Sequence, residues 1–179
     1  MTARLMLVVL LATATVAAAV DFPEAVSASK CKGRKKVFGF IDDPTGTPAV
    51  RKIKMSDAVY IEPGNAYVQG CKTFEGSDCQ ETFRLGLVLS PGLSGEIPCG
   101  MEFGLPNVEY TVMPEGAGVP RYWTNTDDCT VTIVKYDYKR GRLKGMYRTH
   151  LVDAFAEEPV YAELVGCFKV KYQRTGPDE

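Results

Sequence analysis

The chain reads as all-β: one antiparallel β-sandwich, immunoglobulin-like, stapled by disulfides, with an apolar cavity between the sheets as an open expectation. Three features carry this reading. Short stretches of alternating apolar and polar residues recur between Gly, Pro, Asn and Asp turns, and no 3.6-residue period is sustained. Six cysteines, an even set, follow an export-type leader, which suits disulfides better than metal ligands or reactive thiols. The length suits one domain with its own core, and no repeat, linker or low-complexity tract divides it.

Residues 1–19 have the three parts of a signal peptide. Arg4 gives the positive start, Leu5 to Thr15 the apolar run, and Ala17-Ala18-Ala19 the small-residue cleavage site. The run is shorter than the ~20 residues that span a bilayer. Residues 20–179 then form a single secreted or lysosomal domain. Its early strands are expected at Val37 to Ile41, Val50 to Met55, Ala58 to Glu62 and Ala66 to Gly70. Phe83, Leu85, Leu87 and Leu89 alternate with polar or small residues until Ser90-Pro91-Gly92 turns the chain. Val108, Tyr110 and Val112 alternate with Glu109 and Thr111. Cys129 to Tyr136 is β-branched, and Asp137 to Arg142 closes a hairpin onto Leu143 to Val152. Phe168, Val170 and Tyr172 alternate with Lys169 and Lys171 at the end.

With 21 basic against 22 acidic residues, net charge argues for neither nucleic acid nor a generally anionic surface. Locally the balance changes. Lys30, Lys32, Arg34, Lys35 and Lys36 surround Cys31, and Lys135, Lys139, Arg140, Arg142 and Lys144 surround one turn. Each cluster is either a solvated face or a dock for anionic lipid headgroups.

The residue inventory points away from an enzyme. His150 is the only histidine, too few for a His-rich zinc site. An even cysteine set in an oxidising compartment disfavours a thiol nucleophile. Gly92-Leu93-Ser94-Gly95-Glu96 lacks the last glycine of a hydrolase elbow. Asp42-Asp43, Asp127-Asp128 and Glu157-Glu158 have no calcium-loop spacing. No catalytic residue, metal or cofactor is expected, and no N-glycosylation sequon is present.

Several ordered segments resemble the ML lipid-recognition superfamily, and within it the ganglioside-activator branch. They are Pro48-Ala49-Val50-Arg51-Lys52-Ile53 followed by Ile61-Glu62-Pro63-Gly64-Asn65; Leu87-Val88-Leu89 followed by Ile97-Pro98-Cys99; and Gly145-Met146-Tyr147-Arg148, then Leu151, then Leu164-Val165-Gly166-Cys167-Phe168-Lys169-Val170. The resemblance implies a non-enzymatic lipid carrier that takes a glycolipid, sphingolipid, sterol or fatty acid from a membrane. It also implies presentation of that lipid to a glycosidase. The cavity would be lined by Phe83, Leu85, Leu87, Leu89, Val108, Tyr110, Val112, Leu151, Phe168 and Val170. Its membrane-touching mouth would comprise Met101, Phe103 and Leu105 in one loop and Tyr122 and Trp123 in another. The same lining residues would also build the solid core of a secreted recognition or structural sandwich, as in the bacterial domains that Cys129 to Gly145 resembles. Six cysteines allow fifteen pairings. The resemblance selects Cys31–Cys167 and leaves Cys71–Cys79 with Cys99–Cys129. Alternation sets Cys167 on the face of Lys169, opposite Phe168. The long bridge therefore ties the outside of the sheet unless a bulge turns the cysteine inward.

Overall fold

The computed structural model describes residues 21–32, 36–46, 49–55, 59–61, 66–73, 79–100, 102, 105–113 and 120–173. The expected signal peptide, Arg34, Lys35, Pro48, the Pro63-Gly64-Asn65 segment, Met101 and Phe103 lie outside them. Ten strands follow a single-turn 3-10 helix at Ala28–Lys30: β1 (Lys36–Asp42), β2 (Val50–Met55), β3 (Val59–Ile61), β4 (Ala66–Thr73), β5 (Cys79–Leu87), β6 (Gly95–Pro98), β7 (Asn107–Val112), β8 (Arg121–Asp137), β9 (Arg142–Asp153) and β10 (Tyr161–Gln173). The fold is all-β and sandwich-like, as the alternation predicts.

The two layers belong to one continuous sheet. One layer runs β2-β1-β10-β9-β8-β6 and the other β3-β4-β5-β7. They join at two corners. The start of β8 pairs with β7 through Arg121 to Thr124, and the end of β10 pairs with β3 through Tyr172 and Gln173. Among the described residues that second seam is two residue pairs long and parallel, and every other pairing is antiparallel.

β8 is long enough to serve both layers because its ladder breaks midway. The register with β9 shifts between Asn125 and Cys129, freeing the first half to follow β7 and the second to follow β6. The buried Asn125 side chain closes the break: its Oδ1 accepts the Val108 N–H at 2.7 Å, and its Nδ2 donates to the Thr126 carbonyl. Sequence reading sees only the β-branched second half of β8, because Thr124 to Asp128 is polar. β6, short and Pro-ended, escapes it too.

Inward residues of both layers form one core that includes Val37, Ile41, Phe83, Leu85, Tyr110, Trp123, Ile133, Leu151 and Phe168. Tyr147 crosses this core by lying over two glycines. Gly166 pairs with both Tyr147 and Gly39, and a Cβ at either glycine would strike the Tyr147 hydroxyl. The ring then stacks on Phe83, centroids 4.7 Å apart.

A second, smaller apolar cluster lies outside the six-stranded layer. Val26, Cys31, Val165 and Cys167 are buried there against Phe22, Phe38, Phe40 and Met146. The N-terminal segment thus straps the outer face of β1, β10 and β9, and the Cys31–Cys167 bridge fastens it (Cα–Cα 6.0 Å). No bulge turns Cys167 inward; the external alternative is the observed one. Cys71–Cys79 closes the β4–β5 hairpin and Cys99–Cys129 ties β6 to β8, so all three bridges follow the pairing that the resemblance selects. Three disulfides suit an oxidising setting. No helix among the described residues is long and apolar enough to cross a membrane.

Candidate functional site

The ten proposed lining residues converge. Phe83, Leu85, Leu87, Val108, Tyr110, Leu151, Phe168 and Val170 are buried in the main core, and Leu89 and Val112 pack against it half-buried. Burial raises the Tyr110 hydroxyl far above the usual tyrosine range, with the Glu81 carboxylate adding to it. That hydroxyl donates to Glu81 Oε2 at 3.0 Å, while Lys72 Nζ lies 3.0 Å and Arg51 Nη1 3.8 Å from Glu81 Oε1. The core therefore ends in a paired polar cluster at the edge where β2, β4, β5 and β7 meet.

The proposed mouth is redistributed. Trp123 is no membrane-facing ring. It is an inward residue of β8 with no exposed surface, because the chain is already in strand register with Tyr110 of β7 there. Arg121, two residues earlier on the same face, covers it with its guanidinium 4.4 Å from the ring centroid. The same guanidinium ties three strand ends together. Nε donates to Asp153 Oδ2 at 3.0 Å, Nη1 lies 3.2 Å from Asp43 Oδ2, and Nη1 also contacts Thr45 Oγ1. Asp43, a member of one acidic pair weighed for calcium, is thus engaged in an ion pair.

Leu105 and Tyr122 do meet. An open groove of about 500 Å³ on the outside of β5, β7 and β8 is lined by Tyr67, Leu87, Val88, Leu105, Asn107 and Tyr122, among others. Leu105 reaches it from a tight loop in which the Gly100 N–H donates to Pro106 O and the Leu105 N–H to Glu102 O. Val88 and Leu105 are exposed large apolar side chains. Tyr122, half-buried, continues the apolar surface to the exposed Phe155, ring centroids 5.7 Å apart.

The groove has one polar wall. Glu109 Oε1 accepts from Asn107 Nδ2 at 3.2 Å, Glu109 Oε2 lies 3.8 Å from Arg84 Nη1, and Arg84 stacks 4.3 Å from the Tyr67 centroid. Burial and the neighbouring Glu109 raise the Tyr122 hydroxyl, so it stays a neutral donor at physiological pH. An apolar floor beside a few convergent polar groups is what a small amphiphile needs.

Sequence reading misses Phe155 and Tyr67. Phe155 stands in a turn where the Asp153 Oδ1 accepts its backbone N–H, and a lone aromatic between two alanines is its only signal. His150, expected on a surface strand beside Arg148, lies on the outer face half-buried, its Nδ1 2.9 Å from Asp128 Oδ2. Arg148 itself pairs with Glu163 at 2.7 Å.

No protein-family model, no curated protein and no solved structure matches this chain.

Proposed function

We propose that the protein binds an amphiphile non-enzymatically and carries it in a secreted or lysosomal setting. The groove of about 500 Å³ is the observation that supports this most directly. There Leu87 of the expected lining meets Leu105 and Tyr122 of the expected mouth, with Val88 exposed alongside. Its volume falls within the ~300–1,000 Å³ of ordinary small-molecule sites. The driving force is apolar transfer. A sixteen-carbon tail left in water costs on the order of 12 kcal/mol, at ~0.8 kcal/mol per methylene. An exposed strip of Val88, Leu105 and Phe155 offsets part of this even before the core is entered. On this reading a polar headgroup would exchange into the bonds that Glu109 makes with Asn107 and with the neutral Tyr122 hydroxyl. Presentation of the lipid to a glycosidase is the part of the reading supported by the family resemblance alone.

A fluorescent fatty-acid probe tests it. Binding should enhance the probe, and Leu105→Asp or Tyr122→Ala should weaken binding about tenfold, the loss of one well-buried contact. Native mass spectrometry of the protein from its own host should find bound lipid. No enhancement, no bound lipid and no transfer between liposomes would together overturn the reading.

A second reading has its own support. The stacked Phe83–Tyr147 pair fills the space between the layers, which suits a solid recognition or structural module. That module predicts binding through the surface and a probe response no larger than that of an unrelated sandwich.

A further inference from the structure

In the fold, Lys36 of the first basic cluster meets Lys135 and Lys144 of the second on one surface, together with Lys169. Strand register sets Lys135 opposite Lys144, Lys144 opposite Lys169, and Lys169 opposite Lys36. The four lysines form a row across β8, β9, β10 and β1, about 14 Å long at the usual strand spacing. Two residues further along, Arg142 faces Lys171 on one side and Asp137 on the other. An open cavity of about 310 Å³ lies among these side chains.

Like charges directly opposed across strands destabilise a sheet. The row therefore works against folding and in favour of an anionic partner. Among the described residues, none of the four lysines, Arg142 or Lys171 is paired with a carboxylate. Asp137, the one acid among them, accepts the Arg140 N–H at 3.1 Å within the hairpin turn, and its Oδ2 lies 3.9 Å from Arg140 Nε. Glu24 and Glu96 of the same face sit farther along, beside Thr132 and Met146. At the opposite end of the molecule, Asp42 and Asp43 close β1, and Asp153, Glu157 and Glu158 lie at the β9–β10 turn. Arg121 pairs with Asp43 and Asp153 there, so the acidic excess of that end rests on Asp42, Glu157 and Glu158.

Apolar side chains border the basic end. Tyr138, 61% exposed, stands on the β8–β9 hairpin beside Lys139 and Arg140, and Val134, 46% exposed, precedes Lys135. Tyrosine flanked by lysine and arginine suits the headgroup zone of a bilayer, where the ring and the methylene stems find apolar surroundings.

We infer that this face docks the protein on an anionic phospholipid bilayer, with the lysine row against the headgroups and Tyr138 entering the interface. The choice of a bilayer over a sulfated polymer rests on the lipid-carrier reading and on these apolar neighbours. The groove of Leu105 and Tyr122 lies on the other layer. Docking and carriage are therefore separate surfaces.

Co-sedimentation with phosphatidylcholine vesicles, with and without phosphatidylserine, tests the inference. The protein should bind only the phosphatidylserine vesicles, and binding should fall as salt is raised. Lys144→Gln with Lys169→Gln should weaken partition about 25-fold, roughly fivefold per lysine. Lys72→Gln, on the other layer and outside the groove, should leave it unchanged. The double variant removes repulsion, so its melting temperature should equal or exceed that of the parent; a fold defect would show as a drop. Equal partition of parent and double variant overturns the inference. So does retention on heparin without vesicle binding, which would assign the row to a sulfated polymer. Vesicle docking that persists while the fatty-acid probe fails supports docking and sinks carriage alone.

Discussion

Tyr147 fills the space that Gly39 and Gly166 leave open, and its buried hydroxyl donates to the Phe38 carbonyl at 3.5 Å. Burial alone pushes that hydroxyl far above the ordinary tyrosine value of 10.0; Tyr110 is raised the same way, with Glu81 adding to the shift. A folded-state value raised above the unfolded one gives stability that is complete below pH 10 and declines above it, because the unfolded chain alone releases the proton. Each tyrosine should lower stability by about 1.4 kcal/mol per pH unit beyond that point. Urea unfolding followed from pH 8 to 12 should show the fall, and Tyr147→Phe should reduce its slope by about one proton. An unchanged slope in the variant would mean that the hydroxyl is reached by water. The tyrosine is legible in the sequence as part of a strand. The glycine pair beneath it is not, since Gly39 and Gly166 are 127 positions apart and only register brings them together.

Among the elements, β8 is the least legible in the sequence, and the reason is local. A run of Thr, Asn and Asp between Trp123 and Cys129 has turn composition, yet it spans a ladder break whose orphaned groups Asn125 satisfies. That composition gives Trp123 the sequence character of a loop aromatic, although it is an inward strand residue. The bridges were more legible, because cysteine number and the order of the segments constrain them. Their energetic weights differ. Cys31–Cys167, separated by 136 positions, should contribute about 5 kcal/mol by the loop-entropy argument, and Cys71–Cys79, separated by 8, about 2.6 kcal/mol. Domains of this kind hold some 5–15 kcal/mol in all. Replacing Cys31 and Cys167 by alanine should therefore bring the protein close to its unfolding threshold, whereas the Cys71 and Cys79 pair should be tolerated. Urea midpoints of the two double variants measure this. Equal losses would show that the strap of Phe22 and Val26 holds by packing rather than by its covalent tie.

For the molecule as a whole, the layers are joined unequally. β9 is paired along its length on both edges, whereas the β10–β3 corner rests, among the described residues, on two residue pairs. Local opening follows the number of bonds and buried contacts that must break. Amides of Val59–Ile61, Tyr172 and Gln173 should exchange with deuterium at least about 100-fold faster than those in the middle of β9. Equal protection would mean that the sheet opens only by global unfolding. This corner lies at the basic end of β10, where Lys169 and Lys171 stand. By itself the sequence determined the β class, the number of bridges and most strand positions, because alternation and cysteine count act locally or in chain order. It also determined which apolar residues of each strand would share a face, since alternation has a period of two. Only the tertiary structure decided that Trp123 is covered by Arg121 and that Leu105 meets Tyr122. It alone aligned Lys36, Lys135, Lys144 and Lys169 in one row. Those relations depend on which strands become neighbours and in what register, and chain-local patterns carry no record of either.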